Sequence, residues 1–367
     1  MPKKPLRVLQ LIDSLNAGGS ERMAVQLANL LSYSIELSVL VSTRHSGILE
    51  ESIHKTVVFR CLHKKSRFDV SALEELKTFI NVNEISIIHA HGTSFFMASI
   101  IKCLKPSLKI IWHDHYGFRY QTKIKDNLAL YFCSYLFNHI ITINSKLSEW
   151  SKSNLVCKNI SSVENFSIKP IENNQIQVYL KGQKQEFKII HVANLRPEKD
   201  HITALKAIKL LLDKGFKVSY HSIGAINDSS EYFRTIETFI KQHNLKETAF
   251  FYGSQPNVYA YLRKADLGLL SSISEGFPVS LIEYANAKLP VVATDVGDCK
   301  KIVGAFGKIV NAQDSLQLAN AIEKNIKNLE ESKVQAHRLC DKVNKTYNHD
   351  VIMDKIIDIY TTVSTTN

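Results

Sequence analysis

The chain has 367 residues, of which 45% are hydrophobic and 22% are charged, and its formal net charge is +11. This length exceeds what one hydrophobic core usually supports, so we expect two domains. No apolar run is long enough to span a membrane, and Met1–Pro5 leads into a strand without a signal-peptide core. These features predict a cytoplasmic protein. The six cysteines form no Cys-x-x-Cys pair, so we expect reduced thiols rather than a disulfide framework or a zinc site.

The excess of positive charge lies mainly in the N-terminal half, where residues 1–165 contain 20 Lys and Arg against 13 Asp and Glu. No nucleic-acid-binding motif occurs, so a nucleic-acid partner is not expected. Two basic stretches, 60–67 and 119–125, favour an anionic membrane surface as a partner. The alternative is that scattered lysines only keep the protein soluble.

Strand-like and helix-like segments alternate along the first half of the chain. The predicted buried strands are Arg7–Asp13, Glu36–Val41, Ile85–Ala90, Lys109–Trp112 and His139–Ile143. Helical patterns fall between them, at Ser20–Leu31, Leu73–Phe79 and Ser94–Cys103. This alternation predicts an α/β domain with a mostly parallel, doubly wound sheet.

A polar stretch, 167–186, interrupts the alternation and is predicted to be a linker. The strands then resume at Phe187–Val192, Lys217–Ile223, Ala249–Tyr252, Leu267–Leu270 and Pro290–Thr294. After Asp314 the pattern is helical to the end of the chain. We therefore expect one domain over 1–166 and a second over 187–345, followed by a helix over 346–367 that is available to pack back on the first domain.

The run Ser274–Glu283 is the most informative motif. Glu275 follows an apolar strand, and Pro278 suits the first turn of a helix because its missing N–H costs nothing there. Glu283 lies on that helix. Free backbone N–H groups at a helix start can bind an anion, and two carboxylates can bind sugar hydroxyls.

The spacing of the two glutamates, with Gly-Phe-Pro between them, resembles the E-x7-E motif of retaining glycosyltransferases of family 4. The resemblance implies the GT-B fold, in which two Rossmann-like, doubly wound domains face each other across a cleft. In that family the N-terminal domain binds the acceptor and the C-terminal domain binds the nucleotide sugar. Glu275 would be catalytic and bind the donor sugar, while Glu283 would hold the ribose. The remaining donor-binding positions of this motif would be Gly276, Phe277, Pro278 and Val279.

The segment His191–Asp200 resembles the family segment Gly-Arg-Leu-x-x-x-Lys, whose Arg and Lys hold the donor diphosphate. Lys199 matches the family lysine, which implies a catalytic and donor-binding role. Asn194 stands where the family has arginine, and Arg196 is the candidate to supply the missing charge. An exposed loop is the alternative interpretation of Arg196.

Two further loops resemble donor-binding loops of the family. Gly18 and Gly19 follow the first strand, where glycines let the backbone approach a phosphate or sugar, and Ser20 can cap the next helix. The loop is not the G-x-G-x-x-G dinucleotide fingerprint, which argues against NAD. Ser254 and Gln255 lie in a loop resembling the one that meets the nucleotide base, although a plain turn explains it nearly as well.

Two His-x-His pairs, His89/His91 and His113/His115, each place imidazoles on one face of an extended segment. Such pairs can hold a metal ion. No thiolate joins them and the resembled family uses no protein-held metal, so we expect none. The resemblance instead implies that His113 is a catalytic-site residue near the donor sugar, with a structural polar residue as the alternative.

The sequence therefore predicts a retaining, metal-independent hexosyltransferase without a cofactor. Its substrates would be a nucleotide diphosphate sugar, with a UDP-sugar as the first expectation, and a saccharide or lipid-linked saccharide. Assembly of a bacterial surface polysaccharide would place it at the inner face of the cell membrane. Two alternatives stay open: an isomerase of the nucleotide-sugar 2-epimerase type and a non-catalytic sugar-nucleotide-binding homologue.

Overall fold

The computed structural model describes residues 4–16, 18–166 and 178–365, and the chain divides into two units. One unit runs to Phe166 and also contains the C-terminal segment from His349, and the other runs to Asn348. Within the predicted linker, residues 167–177 lie outside the described residues.

The first unit is built on a sheet of seven strands. These are β1 (Lys4–Ser14), β2 (Ile35–His45), β3 (Val58–Cys61), β4 (Ile87–His91), β5 (Lys109–Asp114), β6 (His139–Thr142) and β7 (Ile160–Ser162). The strand order is β3-β2-β1-β4-β5-β6-β7, and every neighbouring pair is parallel. Because β1 lies between β2 and β4, the order of connections reverses beside β1.

Helices connect these strands. Each helix has one apolar face. They are α1 (Gly19–Ser34), α2 (Val70–Val82), α3 (Phe95–Leu104), α4 (Leu128–Cys133) and α5 (Ser145–Asn154). In α1 the buried residues include Met23, Leu27 and Leu31, which recur every four residues and so share one face. Asp69 and Asn144 accept backbone N–H bonds at the starts of α2 and α5.

The second unit contains a sheet of six strands. These are β8 (Phe187–Val192), β9 (Val218–Ile223), β10 (Ala249–Phe251), β11 (Leu267–Leu270), β12 (Val291–Thr294) and β13 (Lys308–Val310). Their order is β10-β9-β8-β11-β12-β13, again with parallel neighbours, and the reversal falls beside β8. The helices are α6 (His201–Asp213), α7 (Glu231–Gln242), α8 (Val258–Leu262), α9 (Val279–Asn286), α10 (Cys299–Val303), α11 (Ser315–Lys327) and α12 (Leu329–Thr346). The predicted pair of doubly wound parallel sheets is confirmed.

A final helix, α13 (His349–Thr365), belongs to the first unit. Its buried residues include Ile352, Ile356 and Tyr360, at four-residue spacing, and it contacts α1. Lys355 forms an ion pair with Glu164 at 3.6 Å. The last helix therefore completes the core that the N-terminal strands begin.

Two predictions from composition can be compared with the structure. All six cysteines are free thiols. Over the described part of the chain, none of the helices combines the length and the apolar character needed to cross a membrane.

Candidate functional site

In the second sheet, the loops that follow the two strands beside the reversal carry predicted site residues, and in the first sheet the loop after β1 carries Gly18 and Gly19. In open α/β sheets such points form the crevice where ligands bind. In the second unit, β8 and β11 are hydrogen-bonded neighbours. Lys199 lies in the loop after β8, and Glu275 lies in the loop after β11.

Lys199 and Glu275 form an ion pair at this reversal point. The ammonium Nζ donates to Glu275 Oε1 at 2.7 Å, and Ser272 Oγ donates to the same oxygen at 2.6 Å. The side chains of Lys199 and Glu275 are only 25% and 10% exposed. The structure therefore brings together the cation and the carboxylate that the resemblance implies for the donor.

The two loops are held to each other by backbone contacts. Ile273 N–H donates to Glu198 O at 2.9 Å, and Ser271 Oγ donates to Lys199 O and Asp200 O at 3.1 and 2.9 Å. Asp200 has φ of +48°, and its carboxylate accepts the N–H of Thr203 at the start of α6. This left-handed backbone is one that Asp tolerates better than most residues. The loops therefore form a fixed support under the ion pair.

The loop after β12 presses on the backbone of Glu275. A Cβ on Gly297, where φ is +52°, would lie 2.3 Å from the carbonyl oxygen of Glu275. Asp298 N–H donates to Gly276 O at 3.3 Å. Only glycine satisfies both the backbone angle and this close approach.

The first residues of the glutamate motif are anchored in the core. The Phe277 side chain is 5% exposed and packs edge-on against Tyr347, with ring centroids 5.3 Å apart. Pro278 is also buried and is the N-cap residue of α9, so the prediction that it lies in the first turn is wrong by one position. Helix-end assignments shift by a residue or two because the cap is only half helical. Because the side chains of Phe277 and Pro278 are buried, the segment 276–279 presents its backbone.

Glu283 is the fifth residue of α9 and is half-buried. Its neighbour Tyr284 fixes the helix to the sheet, because its hydroxyl accepts the N–H of Val192 at 2.7 Å and donates to Leu269 O at 2.9 Å. A Cβ on Gly268 would lie 2.5 Å from the Tyr284 ring, so glycine is needed for this packing.

Asn194 and Arg196 differ in what their side chains do. Asn194 Oδ1 accepts the N–H of Ala225 at 2.8 Å and so holds the loop after β9. The Arg196 side chain is 65% exposed and lies 3.9 Å from Glu198. Asn194 thus has a structural contact at the family arginine position, and Arg196 carries its charge into solvent.

The Ser254–Gln255 loop is fixed from both sides. Gln255 Nε2 donates to Tyr252 O at 2.7 Å, and its Oε1 accepts from Tyr261 Oη at 3.0 Å. Gly253 has φ of +68°, and its carbonyl accepts the N–H of Gly224 at 3.0 Å. Both polar ends of Gln255 are therefore engaged within the loop, and Ser254 is half-buried.

In the first unit, Gly18 and Gly19 stand at the start of α1. Gly18 is the N-cap and has no side-chain cap bond, so the prediction that Ser20 caps this helix is wrong. Ser20 already lies in the first turn, and its Oγ donates to Glu21 at 2.8 Å. A Cβ on Gly18 would lie 2.1 Å from the Glu21 carboxylate, whereas one on Gly19 would meet nothing within 4 Å.

The two histidine pairs meet in one cluster. Strand register places His91 beside His113, and His89 Nε2 lies 3.2 Å from His113 Nδ1. His91 Nδ1 lies 2.9 Å from His115 Nε2. Burial lowers the pKa of His89 and His115 to about 3 and holds the pKa values of His91 and His113 well below their usual range. All four rings are therefore neutral near pH 7.

Nitrogens of His89, His91 and His113 lie within 4.8 Å of one another, a spacing that could hold a metal ion. Each ring, however, already has a hydrogen-bond partner within the protein. The absence of a protein-held metal stays a prediction.

Each of the two basic stretches contains a basic residue that is held in an ion pair. The Lys64 side chain is 9% exposed and lies 3.9 Å from Asp13, and burial lowers its pKa. Arg119 is 8% exposed and donates to the buried Asp114 at 2.6 Å. The Arg119–Asp114 pair is buried and the Lys64–Asp13 pair is partly buried, whereas Lys65 and Arg67 are exposed.

Three residues of these sites were not predicted. Ser272 supports Glu275, and Gln10 and Tyr360 join the histidine cluster. Gln10 is a polar residue inside the apolar strand β1, and Ser272 follows the end of β11, so both positions could have drawn attention. Tyr360 has the spacing of a core residue in a helix, so nothing in its surroundings marks a polar partner.

Comparison with known proteins covers both units. Residues 17–165 match the family described as Glycosyltransferase Family 4, and residues 172–338 match Glycosyl transferases group 1. The chain is 25% identical over 323 residues to the O-antigen biosynthesis glycosyltransferase WbnH of Escherichia coli, covering 83% of this chain and 86% of WbnH. It is 23% identical over 345 residues to the GPI3 subunit of phosphatidylinositol N-acetylglucosaminyltransferase of Saccharomyces cerevisiae, covering 89% of this chain and 74% of that subunit.

Among solved structures, Anabaena HepE in complex with UDP-glucose superposes with a TM-score of 0.81 at 15% identity, covering 97% of this chain and 100% of HepE. WaaG, a glycosyltransferase involved in lipopolysaccharide biosynthesis, gives 0.72 at 15% identity, covering 96% and 99%. At this identity the likeness establishes the fold.

Proposed function

We propose that this chain, a glycosyltransferase of the group 1 and family 4 type with the GT-B fold, transfers a sugar from a nucleotide diphosphate sugar to a hydroxyl acceptor with retention of configuration. The observation that carries the proposal is the Lys199–Glu275 pair at the reversal point of the second sheet. This pair supplies a cation for a diphosphate and a carboxylate for a sugar on two adjoining loops.

The chemistry requires negative charge to be stabilised on the leaving diphosphate while positive charge develops on the sugar. Lys199 and the start of α9 supply positive potential for the first, and Glu275 supplies a carboxylate for the second. Glu283, roughly one helical turn from the start of α9, would bind the ribose hydroxyls. The acceptor would attack from the leaving-group side and give its proton to a phosphate oxygen, so no side-chain nucleophile is required.

A UDP-sugar is the proposed donor, supported by the fold likeness to HepE, whose structures contain UDP and UDP-glucose. The proposed acceptor is a saccharide or lipid-linked saccharide of surface polysaccharide assembly at the inner face of the membrane. WbnH, which acts in O-antigen biosynthesis, supports this acceptor class.

The test is a donor panel with UDP-glucose, UDP-galactose, UDP-N-acetylglucosamine and GDP-mannose, each with simple glycoside acceptors. We expect free nucleotide with at least one donor, a product of unchanged anomeric configuration by NMR, and at least tenfold slower release for Lys199→Ala. Epimerised nucleotide sugar without transfer would indicate the isomerase. Binding without any turnover across the panel would indicate the non-catalytic homologue.

A further inference from the structure

Gln10, Tyr360 and the four histidines form one continuous chain of hydrogen bonds inside the first unit. The successive contacts are His115 Nε2 to His91 Nδ1 at 2.9 Å, His91 Nε2 to Gln10 Oε1 at 2.8 Å, Gln10 Nε2 to Tyr360 Oη at 3.0 Å, Tyr360 Oη to His89 Nδ1 at 2.6 Å, and His89 Nε2 to His113 Nδ1 at 3.2 Å. Each member is buried except His115, which is half-buried.

The chemistry of these groups determines which atom donates in each of these hydrogen bonds. A neutral imidazole carries one N–H donor and one lone pair, while an amide oxygen only accepts and an amide nitrogen only donates. Because Gln10 Oε1 accepts, His91 must carry its proton on Nε2. His91 Nδ1 is then an acceptor, so His115 must donate to it from Nε2.

The directions of the remaining hydrogen bonds follow from the amide nitrogen of Gln10. It donates to the Tyr360 oxygen, and the hydroxyl proton of this buried tyrosine is satisfied by donation to His89 Nδ1. His89 then carries its proton on Nε2 and donates it to His113 Nδ1. All four histidines are therefore Nε2–H tautomers.

This arrangement leaves two open ends, the Nε2–H donor of His113 and the Nδ1 lone pair of His115. These two atoms are the side-chain nitrogens of the cluster that are buried without a hydrogen-bond partner among the described residues. The rings that carry them are stacked, with centroids 4.0 Å apart. A donor beside an acceptor suits a hydroxyl group, which can accept one hydrogen bond and donate another.

We propose that Tyr360 and Gln10 are positioning residues that set the tautomer of His113, so that its free Nε2–H donates to a hydroxyl of the donor sugar while His115 Nδ1 accepts from a hydroxyl. The ligand assignment rests on the proposed function, whereas the tautomer assignment rests on the protein alone. The C-terminal helix thus acts on the ligand through His89 and His113 without touching it.

The tautomers can be read in the free protein from long-range 1H–15N correlation spectra of histidine-labelled material at pH 7.5. We expect Nε2–H signals for His89, His91, His113 and His115. Reversal of the Gln10 amide would reverse every bond in the chain and make His113 an Nδ1–H tautomer, and that result would overturn the proposal. This measurement requires no variant.

Tyr360→Phe removes the proton that holds His89 Nδ1 as an acceptor. We expect His89 and His113 to shift toward the Nδ1–H form, with His91 and His115 changing less. The matched control is Tyr33→Phe, which removes a hydroxyl that pairs with His54 Nε2 at 3.0 Å on the exposed surface of the same unit. Unchanged tautomers in folded Tyr360→Phe would contradict the proposal that Tyr360 sets the tautomer of His113.

Binding then tests the ligand. Calorimetry should give at least fivefold weaker UDP-glucose binding for Tyr360→Phe and unchanged UDP binding, with no change for Tyr33→Phe. Equal loss for both ligands would overturn the sugar assignment. If the parent protein binds neither ligand, the proposed donor is wrong, while the spectra still decide the tautomers.

Discussion

At the scale of single side chains, the Lys199 ammonium has enough N–H donors for both Glu275 and the proposed diphosphate ligand. A lysine carries three N–H donors. One of them bonds to Glu275 Oε1 at 2.7 Å. Lys199 can therefore keep this bond and still offer a donor to a phosphate oxygen, so diphosphate binding does not require the pair to break.

Lys199→Ala should lower kcat/KM more than Arg196→Ala. Lys199 is held beside Glu275, while Arg196 is 65% exposed on the same loop. Loss of a charge-assisted bond costs about 1.5–3 kcal/mol, so we expect a decrease of roughly 10–150-fold for Lys199→Ala. Steady-state kinetics on the two variants provide the measurement. The reverse order would mean that Arg196 has taken over the family role.

Glu283→Ala should weaken binding of UDP by about 1.5–3 kcal/mol, because a charged acceptor of hydrogen bonds from ribose is lost. Folding should be unaffected, since Glu283 is half-buried and Tyr284 holds α9 in place. Calorimetry with UDP and GDP gives the affinities. The control is Glu237→Ala, an exposed glutamate of α7. Unchanged nucleotide affinity would remove Glu283 from the site.

Single candidate residues could be recognised where they belong to a short sequence motif. Local spacing was enough to single out the glutamate motif and Lys199 as candidates, because the residues of each pattern lie within a few positions of one another. The pairing of Gln10 with Tyr360 spans 350 positions. No local pattern encodes such a contact, and only the fold brings the two side chains together.

At the scale of elements, the central strands were predictable and several edge strands were not. Strand β11, for example, is a continuous buried apolar run because both faces of the sheet are covered. The unpredicted strands are β3, β7 and β13, which are three or four residues long and stand at sheet edges. Their partly exposed residues give no buried run to recognise.

The segment before α2 provides the test of membrane binding. Lys65, Arg67 and Phe68 are exposed, whereas Lys64 is held by Asp13. Replacing Lys65 and Arg67 with Ser should reduce co-sedimentation with anionic vesicles, since each charge contributes on the order of 1 kcal/mol near such a surface. Binding should also fall as salt rises.

The control for this experiment removes two exposed charges elsewhere, Lys241 and Lys246. It should bind anionic vesicles like the parent protein. Equal binding to neutral and anionic vesicles, or none to either, would favour an acceptor in solution and reduce the net charge to a solubility feature.

Sugar transfer should continue in the presence of a chelator. Both nitrogens of His89 and of His91, and the Nδ1 of His113, are engaged in hydrogen bonds, which a metal ion at these atoms would have to displace. Turnover with and without EDTA is the measurement. Complete loss in EDTA that one added divalent metal restores would make these histidines ligands.

At the scale of the whole molecule, the stability of the fold should depend on pH through its buried histidines. Burial lowers the pKa values of seven histidines far below the usual 6.5: His89, His91, His113, His115, His191, His201 and His221. Between pH 6.5 and about 3 the unfolded chain binds protons that the folded chain excludes. Stability is therefore full above pH 6.5 and is lost as the pH falls.

We expect the free energy of unfolding to fall by up to about 1.4 kcal/mol per pH unit for each such histidine. Urea unfolding at pH 7.5, 6.5 and 5.5 measures this, with probes in each unit because two units need not unfold together. The decrease from pH 6.5 to 5.5 should exceed that from 7.5 to 6.5. Equal stability at all three values would mean that these histidines take up protons in the folded state.

The two-sheet organisation was predictable because strands and helices alternate twice along the chain. The order of strands within each sheet was not, since it depends on which apolar faces meet after the chain has collapsed. A last helix that packs back on the first domain was an expectation, but no local pattern identifies the surface that it covers. Apolar spacing marks α13 as a packed helix, but its partner α1 lies more than three hundred residues earlier.

That return of α13 to the first unit has a consequence for synthesis on the ribosome. Residues up to 166 emerge first, yet Tyr360, which is fully buried against Gln10 and His89, emerges after the whole second unit. At 5–20 residues per second this interval is roughly 10–40 s. During it, the nascent N-terminal unit exposes the apolar surface that α13 later covers, and the second unit can fold before the first is complete.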